Sequence, residues 1–224
     1  AGQGKIASYE RCLGLRLVNK TCLVFLERKV TATNSIVAQV VLDLARGTVR
    51  LGREHTLSGL VQTDANFIPV AHLEPTEGLN WLCVRGTGIL AFKEDGTASL
   101  FNEEQGLPTR ETRCVAKLGN SYYVGFGTGF DVEHRAGGMG VWRPDTSDFR
   151  VLCSSRQREG KTPLDGGNPY DIIDIWPDAK SNSLLCVLAT YPRDARNGIW
   201  RFRITDNTWT QEQSWPLVTI DTTQ

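Results

Sequence analysis

The feature of this sequence that most restricts its fold is a motif that occurs four times. Each copy contains an apolar strand, a short polar turn, a second apolar strand, a variable loop and then a hairpin closed by a tight turn. The four hairpin turns begin at residues 45, 94, 145 and 205, so their spacing is loose, at 49, 51 and 60 positions. A four-stranded sheet cannot bury both of its faces alone and therefore stacks on its neighbours. The repeats predict an all-β fold, a β-propeller with four four-stranded antiparallel blades.

The predicted blades cover residues 9–56, 65–104, 111–153 and 169–212, with a tail at 213–224, and together they make residues 1–224 a single propeller domain. An open ring leaves the edges and faces of its terminal sheets bare. We therefore expect the tail to pair with the first repeat, two chains to form a homodimer, or further blades to complete a larger ring. A β-sandwich, which also uses short strands at regular spacing, is the alternative fold.

One segment, residues 34–46, also fits a capped helix, with Asn34 or Ser35 at its start and Gly47 at its end. Its apolar residues recur at every second position, which is the period of a strand. These residues are Ile36, Ala38, Val40, Leu42 and Leu44. The segment also occupies the position of the hairpin strand in the other repeats, so the sequence predicts a strand.

The charge balance bears on the choice of partner. The 224 residues include 25 basic and 25 acidic side chains, so no net positive field attracts nucleic acid. No apolar run approaches the roughly 18 residues of a membrane-spanning helix. We expect neither a nucleic-acid partner nor membrane insertion.

The six cysteines, at positions 12, 22, 83, 114, 153 and 186, form no CxxC pair. This spacing counts against a zinc ribbon and against thioredoxin-like redox chemistry. Most of them have apolar or aromatic neighbours, so we expect buried free thiols that pack as small hydrophobic side chains. Disulfides are the alternative.

A known repeat pattern covers residues 78–150. The second repeat carries it at Trp81, Val84, Gly86, Thr87, Gly88, Ile89, Leu90, Asp95, Gly96, Gly106, Leu107 and Pro108. The third repeat carries it at Gly119, Asn120, Tyr123, Val124, Gly125, Gly140, Val141 and Trp142. At these positions the chain resembles the two-component regulator propeller repeat family. The resemblance implies a bacterial, sensor-like module that recognises a small molecule or saccharide in the periplasm or outside the cell and signals to a protein partner.

Blade geometry places the candidate binding surface. With four strands per blade, the connections at 127–138, 154–170 and 190–198 leave the same end of the blades, and long loops on a rigid scaffold commonly carry binding sites. Arginine pairs with anionic groups, and aromatic rings pack against sugars. The candidate ligand-binding residues are Asp131, Glu133, His134, Arg135, Arg156, Arg158, Tyr170, Tyr191, Arg193 and Arg196. The alternative is that these loops are tolerated insertions with neutralising charges.

The stretch GFGTGFDVEHRAGGMGVW, residues 125–142, contains the most conspicuous chemistry. Its glycines permit close backbone approach and positive φ at strand ends. A dinucleotide site would need G-x-G-x-x-G entering a helix, whereas this G-x-G-x-G enters a loop between strands. Asp131, Glu133 and His134 are candidates for a general base or metal ligands, for ligand contacts, or for a solvated loop tip. No second ligand spacing and no nucleophile motif accompanies them, so we expect no metal and no cofactor. A non-catalytic binding module is favoured, and a glycan-active lyase or hydrolase using acids on the same surface is the alternative.

Overall fold

The computed structural model describes residues 8–18, 20–31, 34–58, 73–76, 79–84, 88–93, 98–127, 137–143, 145–154, 170–190 and 195–214. Over these residues the chain forms sixteen β-strands and one short 3-10 helix, Glu103–Gln105. The prediction of an all-β fold is confirmed.

The chain divides into two compact units, Ala1–Thr112 and Arg113–Gln224, and each unit contains two four-stranded sheets. The first sheet contains β1 (Arg11–Val18), β2 (Thr21–Lys29), β3 (Asn34–Asp43) and β4 (Thr48–Ser58). The second contains β5 (Leu73–Thr76), β6 (Leu79–Val84), β7 (Gly88–Lys93) and β8 (Ala98–Phe101). The third contains β9 (Thr112–Leu118), β10 (Ser121–Phe126), β11 (Gly138–Arg143) and β12 (Asp148–Ser154). The fourth contains β13 (Tyr170–Asp178), β14 (Ser183–Thr190), β15 (Gly198–Arg203) and β16 (Thr208–Ser214).

In every sheet the strands lie in the order in which they occur along the chain, and consecutive strands are antiparallel. The predicted hairpin turns fall between the third and fourth strands of the first, third and fourth sheets, and the predicted turn at 94–97 lies outside the described residues. Residues 34–43 are a strand, paired on both sides, so the capped-helix alternative for this segment is wrong. The four predicted four-stranded blades are therefore present.

The core of the first unit lies between its two sheets. Phe25 of β2 and Phe92 of β7 are fully buried, and their ring centroids are 5.1 Å apart. His55 of β4 packs edge-on against Phe92, with the ring centroids separated by 5.3 Å. The other members of this core are Leu13, Val37, Leu82 and Leu90.

The core of the second unit contains side chains from both of its sheets. In β15, Trp200 and Phe202 are buried while Arg203 is exposed, which is the alternation expected of a strand with one face against a core. Other members of this core are Tyr123, Met139, Tyr170, Ile172 and Ile175.

All six cysteines are free thiols. Four of them, Cys83, Cys114, Cys153 and Cys186, are buried, whereas Cys22 is half-buried and Cys12 is exposed. The prediction of buried free thiols is therefore confirmed at four of the six positions, and the disulfide alternative is wrong.

Candidate functional site

The candidate site lies at the end of the second unit from which the connections β10–β11, β12–β13 and β14–β15 leave, which we call the loop-bearing end. In the third sheet, Gly138 pairs with both Phe126 and Ser154, so the ends of β10 and β12 lie beside the start of β11. In the fourth sheet, Tyr170 pairs with Thr190, which places the start of β13 beside the end of β14. The register thus gathers the three longest connections of this unit at one end.

A partly buried ion pair joins the two sheets at the loop-bearing end. Nη2 of Arg113, the second residue of β9, donates a hydrogen bond to Oδ2 of Asp171, the second residue of β13, over 2.8 Å. The side chains of Arg113 and Asp171 are only 6% and 23% exposed. Loss of the Asp171 carboxylate would be costly, because the Arg113 charge that remains is buried and would have lost its partner.

The Arg113 guanidinium rests against the backbone of Gly127, the residue that follows β10. A Cβ atom at position 127 would overlap Nε and Nη2 of Arg113, so only glycine leaves room for this side chain. Nε of Arg113 is buried and has no hydrogen-bond partner among the described residues. The guanidinium is thus hydrogen-bonded to one carboxylate and packed against the backbone of one glycine.

Close approach also explains other glycines of the stretch 125–142. A Cβ at Gly125 would lie 2.5 Å from the Cys114 sulfur, and a Cβ at Gly137 would overlap the backbone carbonyl of Tyr170. Two more, Gly138 and Gly140, meet Cys153 and Phe149 in the same way. None of the five described glycines in this stretch has a positive φ, so the expectation of positive φ is wrong for them. Here glycine is required because backbone or side-chain atoms of other strands lie too close for a Cβ.

A second set of contacts fixes the end of the β14–β15 connection. Oδ1 of the buried Asn197 accepts hydrogen bonds from the backbone N–H and from the hydroxyl of Thr190, the latter over 2.7 Å. The indole Nε1 of Trp200 donates to the carbonyl of Arg196 over 2.7 Å. The chain that returns from this loop is therefore tied to the fourth sheet.

Two of the ten predicted ligand-binding residues lie in the described part of the chain. Arg196 is half-buried at the loop-bearing end. Tyr170 is 1% exposed and its ring belongs to the core of the second unit, because β13 turns this face toward the third sheet. Eight lie outside the described residues: Asp131, Glu133, His134, Arg135, Arg156, Arg158, Tyr191 and Arg193. For these eight, a role in binding stays a prediction.

Arg113 and Asp171 were not among the predicted site residues. A signal for Arg113 was present, because the first and third repeats both open with Arg-Cys, at 11–12 and 113–114. The two arginines nevertheless behave differently. Arg11 forms an ion pair of 3.4 Å with Glu27 on the neighbouring strand of its own sheet, whereas Arg113 reaches the next sheet. Nothing local in the sequence distinguishes the two cases.

The buried Cys186 thiol of the second unit is a poor nucleophile. Burial raises the pKa of the Cys186 thiol well above its ordinary value, and its sulfur contacts the sulfur of Met139 at 3.8 Å. The Cys114 thiol donates to the carbonyl of Ile172 over 3.5 Å. Because the thiolate is the reactive form, these side chains serve as core.

Within the ranges that the structure describes, no three His, Cys, Asp or Glu side chains come together as metal ligands would. In the same ranges, no helix has the length and hydropathy needed to cross a bilayer.

Comparison with solved structures supports the fold. The extracellular domain of the hybrid two-component system BT3049 from B. thetaiotaomicron matches 93% of this chain with a TM-score of 0.53 and 11% identity. This chain spans only 30% of the length of that structure. The computationally designed Ika8 protein and residues 644–1017 of HIRA match with TM-scores of 0.44 and 0.41, which are too low to support an argument.

No protein-family model matches this sequence, and none of the curated proteins matches it. At 11% identity, the structural match carries information on fold alone. With four consecutive-order antiparallel sheets and this structural match, the chain has the fold of a β-propeller.

Proposed function

We propose that this protein is a non-catalytic, sensor-like recognition module that binds a small molecule or saccharide at the loop-bearing end of its second unit. The observation that carries the proposal is the position of the partly buried Arg113–Asp171 pair, which lies where the three longest connections of this unit begin and end. A rigid sheet end bordered by long connections is a common place for binding residues. The candidate residues in those connections supply arginine and carboxylate groups of the kind that recognise polar ligands.

The sensory part of the proposal rests on two further points. Residues 78–150 resemble two-component regulator propeller repeats, and we propose that the chain is related to that family. The structural neighbour is described as the extracellular domain of a hybrid two-component system. A recognition module that passes its signal to a protein partner, in the periplasm or outside the cell, agrees with both points.

A paired substitution tests the proposed surface. A glycan array identifies a ligand, and calorimetry then measures its affinity for Arg193→Ala and Lys180→Ala. Lys180 is an exposed residue in the short β13–β14 turn at the opposite end of the fourth sheet, so it is a matched control. We expect Arg193→Ala to weaken binding roughly 10- to 100-fold, the loss of one charge-assisted contact, and Lys180→Ala to leave it unchanged.

Equal effects of the two substitutions would show that the wrong surface has been chosen. The same samples distinguish the enzyme alternative. Chromatography after prolonged incubation should return the bound saccharide intact, and cleavage products would identify a lyase or hydrolase.

A further inference from the structure

Arg113 has hydrogen-bonding capacity that the described protein does not use. A guanidinium carries five N–H donors in a planar fork. In the described part of the chain, Arg113 uses one of them, in the 2.8 Å hydrogen bond from Nη2 to Asp171. Its Nε is buried without a partner there, although the side chain is only 6% exposed. Buried charged groups are normally paired and hydrogen-bonded.

Arg201 of β15 shows what a purely structural arginine does in this fold. Its Nε donates to Glu212 over 2.6 Å. Its Nη1 lies within hydrogen-bond distance of Asp178, Ser181 and Ser183, at 3.0, 3.2 and 2.8 Å. Arg201 is more exposed than Arg113, at 26%, and yet has more partners. The more deeply buried arginine is therefore the less satisfied one.

The surroundings of Arg113 hold the guanidinium in place while leaving donors available. Among the described residues, Arg113 donates to Asp171 through Nη2 alone, so this pair is not bidentate. Gly127 lies against the Nε and Nη2 edge of the guanidinium. Among the described residues, Nη1 has no hydrogen bond and no contact with this glycine. An anionic group approaching this end of the fork would meet a cation that is already fixed in position. A pre-ordered donor loses little conformational entropy on binding.

We propose that Arg113 recognises an anionic group, a carboxylate, sulfate or phosphate, on the ligand of the loop-bearing end. The inference rests on the proposed function, because it names the chemistry of the ligand for the same end. Asp171 acts as a positioning residue, since it orients the guanidinium and competes with the ligand for Nη2. Gly127 provides the space in which the guanidinium lies.

The test uses glucuronate and glucose, which differ in a carboxylate and a hydroxymethyl group at one carbon. Calorimetry at constant ionic strength should show at least a tenfold preference of the intact chain for glucuronate, which is the effect of about one charge-assisted contact. Arg113→Gln should abolish the preference, and Arg113→Lys, which keeps the charge but not the planar fork, should retain part of it. Arg201→Gln is the matched control and should retain the full preference.

Inorganic sulfate and inorganic phosphate form separate arms of the experiment. Binding of either ion in the same Arg113-dependent manner, without binding of glucuronate, identifies an oxyanion rather than a carboxylate. Asp171→Asn distinguishes recognition from a purely structural clamp. The side-chain oxygen of asparagine can still accept from Nη2 and orient the guanidinium, whereas the competing negative charge is gone. Recognition therefore predicts that Asp171→Asn binds the anion at least as tightly as the unsubstituted chain. Circular dichroism verifies that each variant is folded. If a variant does not fold, the preference of the unsubstituted chain for glucuronate over glucose still decides the inference.

The outcomes separate the inference from the proposed function. Array ligands that bind the loop-bearing end without any preference for an acidic group, and unchanged binding by Arg113→Gln, overturn the inference and leave the function intact. If the chain binds an anion in an Arg113-dependent manner but binds no saccharide on the array, the inference is supported and the saccharide is removed from the proposed function. Absence of every ligand, anion and saccharide alike, overturns both.

Discussion

At the scale of single residues, the glycine-rich stretch 125–142 shows how much a local pattern can predict. The sequence correctly indicated that these glycines permit other groups to approach their backbone closely. It did not indicate which neighbour approaches, because Gly127 faces Arg113 and Gly137 faces Tyr170, and both contacts depend on how the sheets pack. The same limit explains why Arg113 was missed, since its partner, Asp171, lies on another sheet.

The two kinds of glycine in the second unit should respond differently to substitution. Gly137→Ala should destabilise the chain by about 3 kcal/mol, because a Cβ would overlap the Tyr170 carbonyl and backbone cannot easily move away. Gly119 has a φ of +60° and open space around it, so Gly119→Ala should cost about 1 kcal/mol. Asparagine tolerates the left-handed conformation, so Gly119→Asn should recover stability whereas Gly137→Asn should not. Urea unfolding measures all four variants, and recovery by Gly137→Asn would contradict the close-approach explanation.

At the scale of elements, the strands and their hairpin turns were the most predictable part of the molecule. Alternation identified β15 from Trp200 and Phe202, and period-two apolar residues identified β3 despite signals for a helix cap. The connections were predictable as sequence spacing but not as surfaces. Tyr170, for example, begins a strand directly after a long connection, and its ring nevertheless belongs to the core. Which way a residue at a strand end faces depends on the neighbouring sheet, and its own segment contains no such information.

The short turn between β13 and β14 should make stability depend on pH. Hydrogen bonds from Ser181 and Arg201 lower the pKa of the Asp178 carboxyl below its ordinary value of 3.8. A carboxyl whose pKa is lowered by folding stabilises the native state above its unfolded pKa, and this contribution disappears as the pH falls through the folded pKa. Asp178→Asn should therefore have a lower urea midpoint than the unsubstituted chain at pH 7, and the difference should shrink steadily below about pH 4.

Asp145, an exposed aspartate in the β11–β12 turn, supplies a control position for this experiment. Between pH 7 and acid pH, the urea midpoint of Asp145→Asn should change by nearly the same amount as that of the unsubstituted chain. If the urea midpoints of Asp178→Asn and the unsubstituted chain differ by the same amount at every pH, the charge of the Asp178 carboxylate is not the cause of the stabilisation.

At the scale of the whole molecule, four four-stranded blades and their internal order were predictable from the repeats, and the four sheets of the described residues confirm them. A single domain over 1–224 and a homodimer stay predictions. The repeat pattern predicts the strands within each sheet, but it does not predict what the outer face of a sheet contacts. Exposed apolar side chains on the first sheet are relevant to the predicted homodimer. Leu15 and Leu17 of the edge strand β1 are 66% and 61% exposed. Exposed apolar side chains on a sheet edge favour association with another chain.

Replacing both leucines should separate association from stability. Leu15→Lys with Leu17→Lys should change the free energy of unfolding by less than about 1 kcal/mol, because little apolar area is buried at either side chain. The same variant should reduce concentration-dependent association in sedimentation velocity, if lysine blocks the edge as it does in natural sheets. Leu44→Lys is the control, since Leu44 is 57% exposed but lies in a turn. An equal reduction by Leu44→Lys would show that general hydrophobicity, and not the β1 edge, drives association.

The consecutive strand order has a consequence for how the chain acquires its structure. Among the residues that the structure describes, every sheet pairing joins strands that are neighbours in sequence, and the most widely separated residues that pair are Asn34 and Ser58. Closing such short loops costs little entropy, so the pairings can form early and independently of the rest of the chain. On the ribosome, the whole of the first sheet becomes available once residue 58 has emerged, long before the second unit has been synthesised. We expect the sheets to form one after another from the N-terminus, with packing between sheets as the later and slower event.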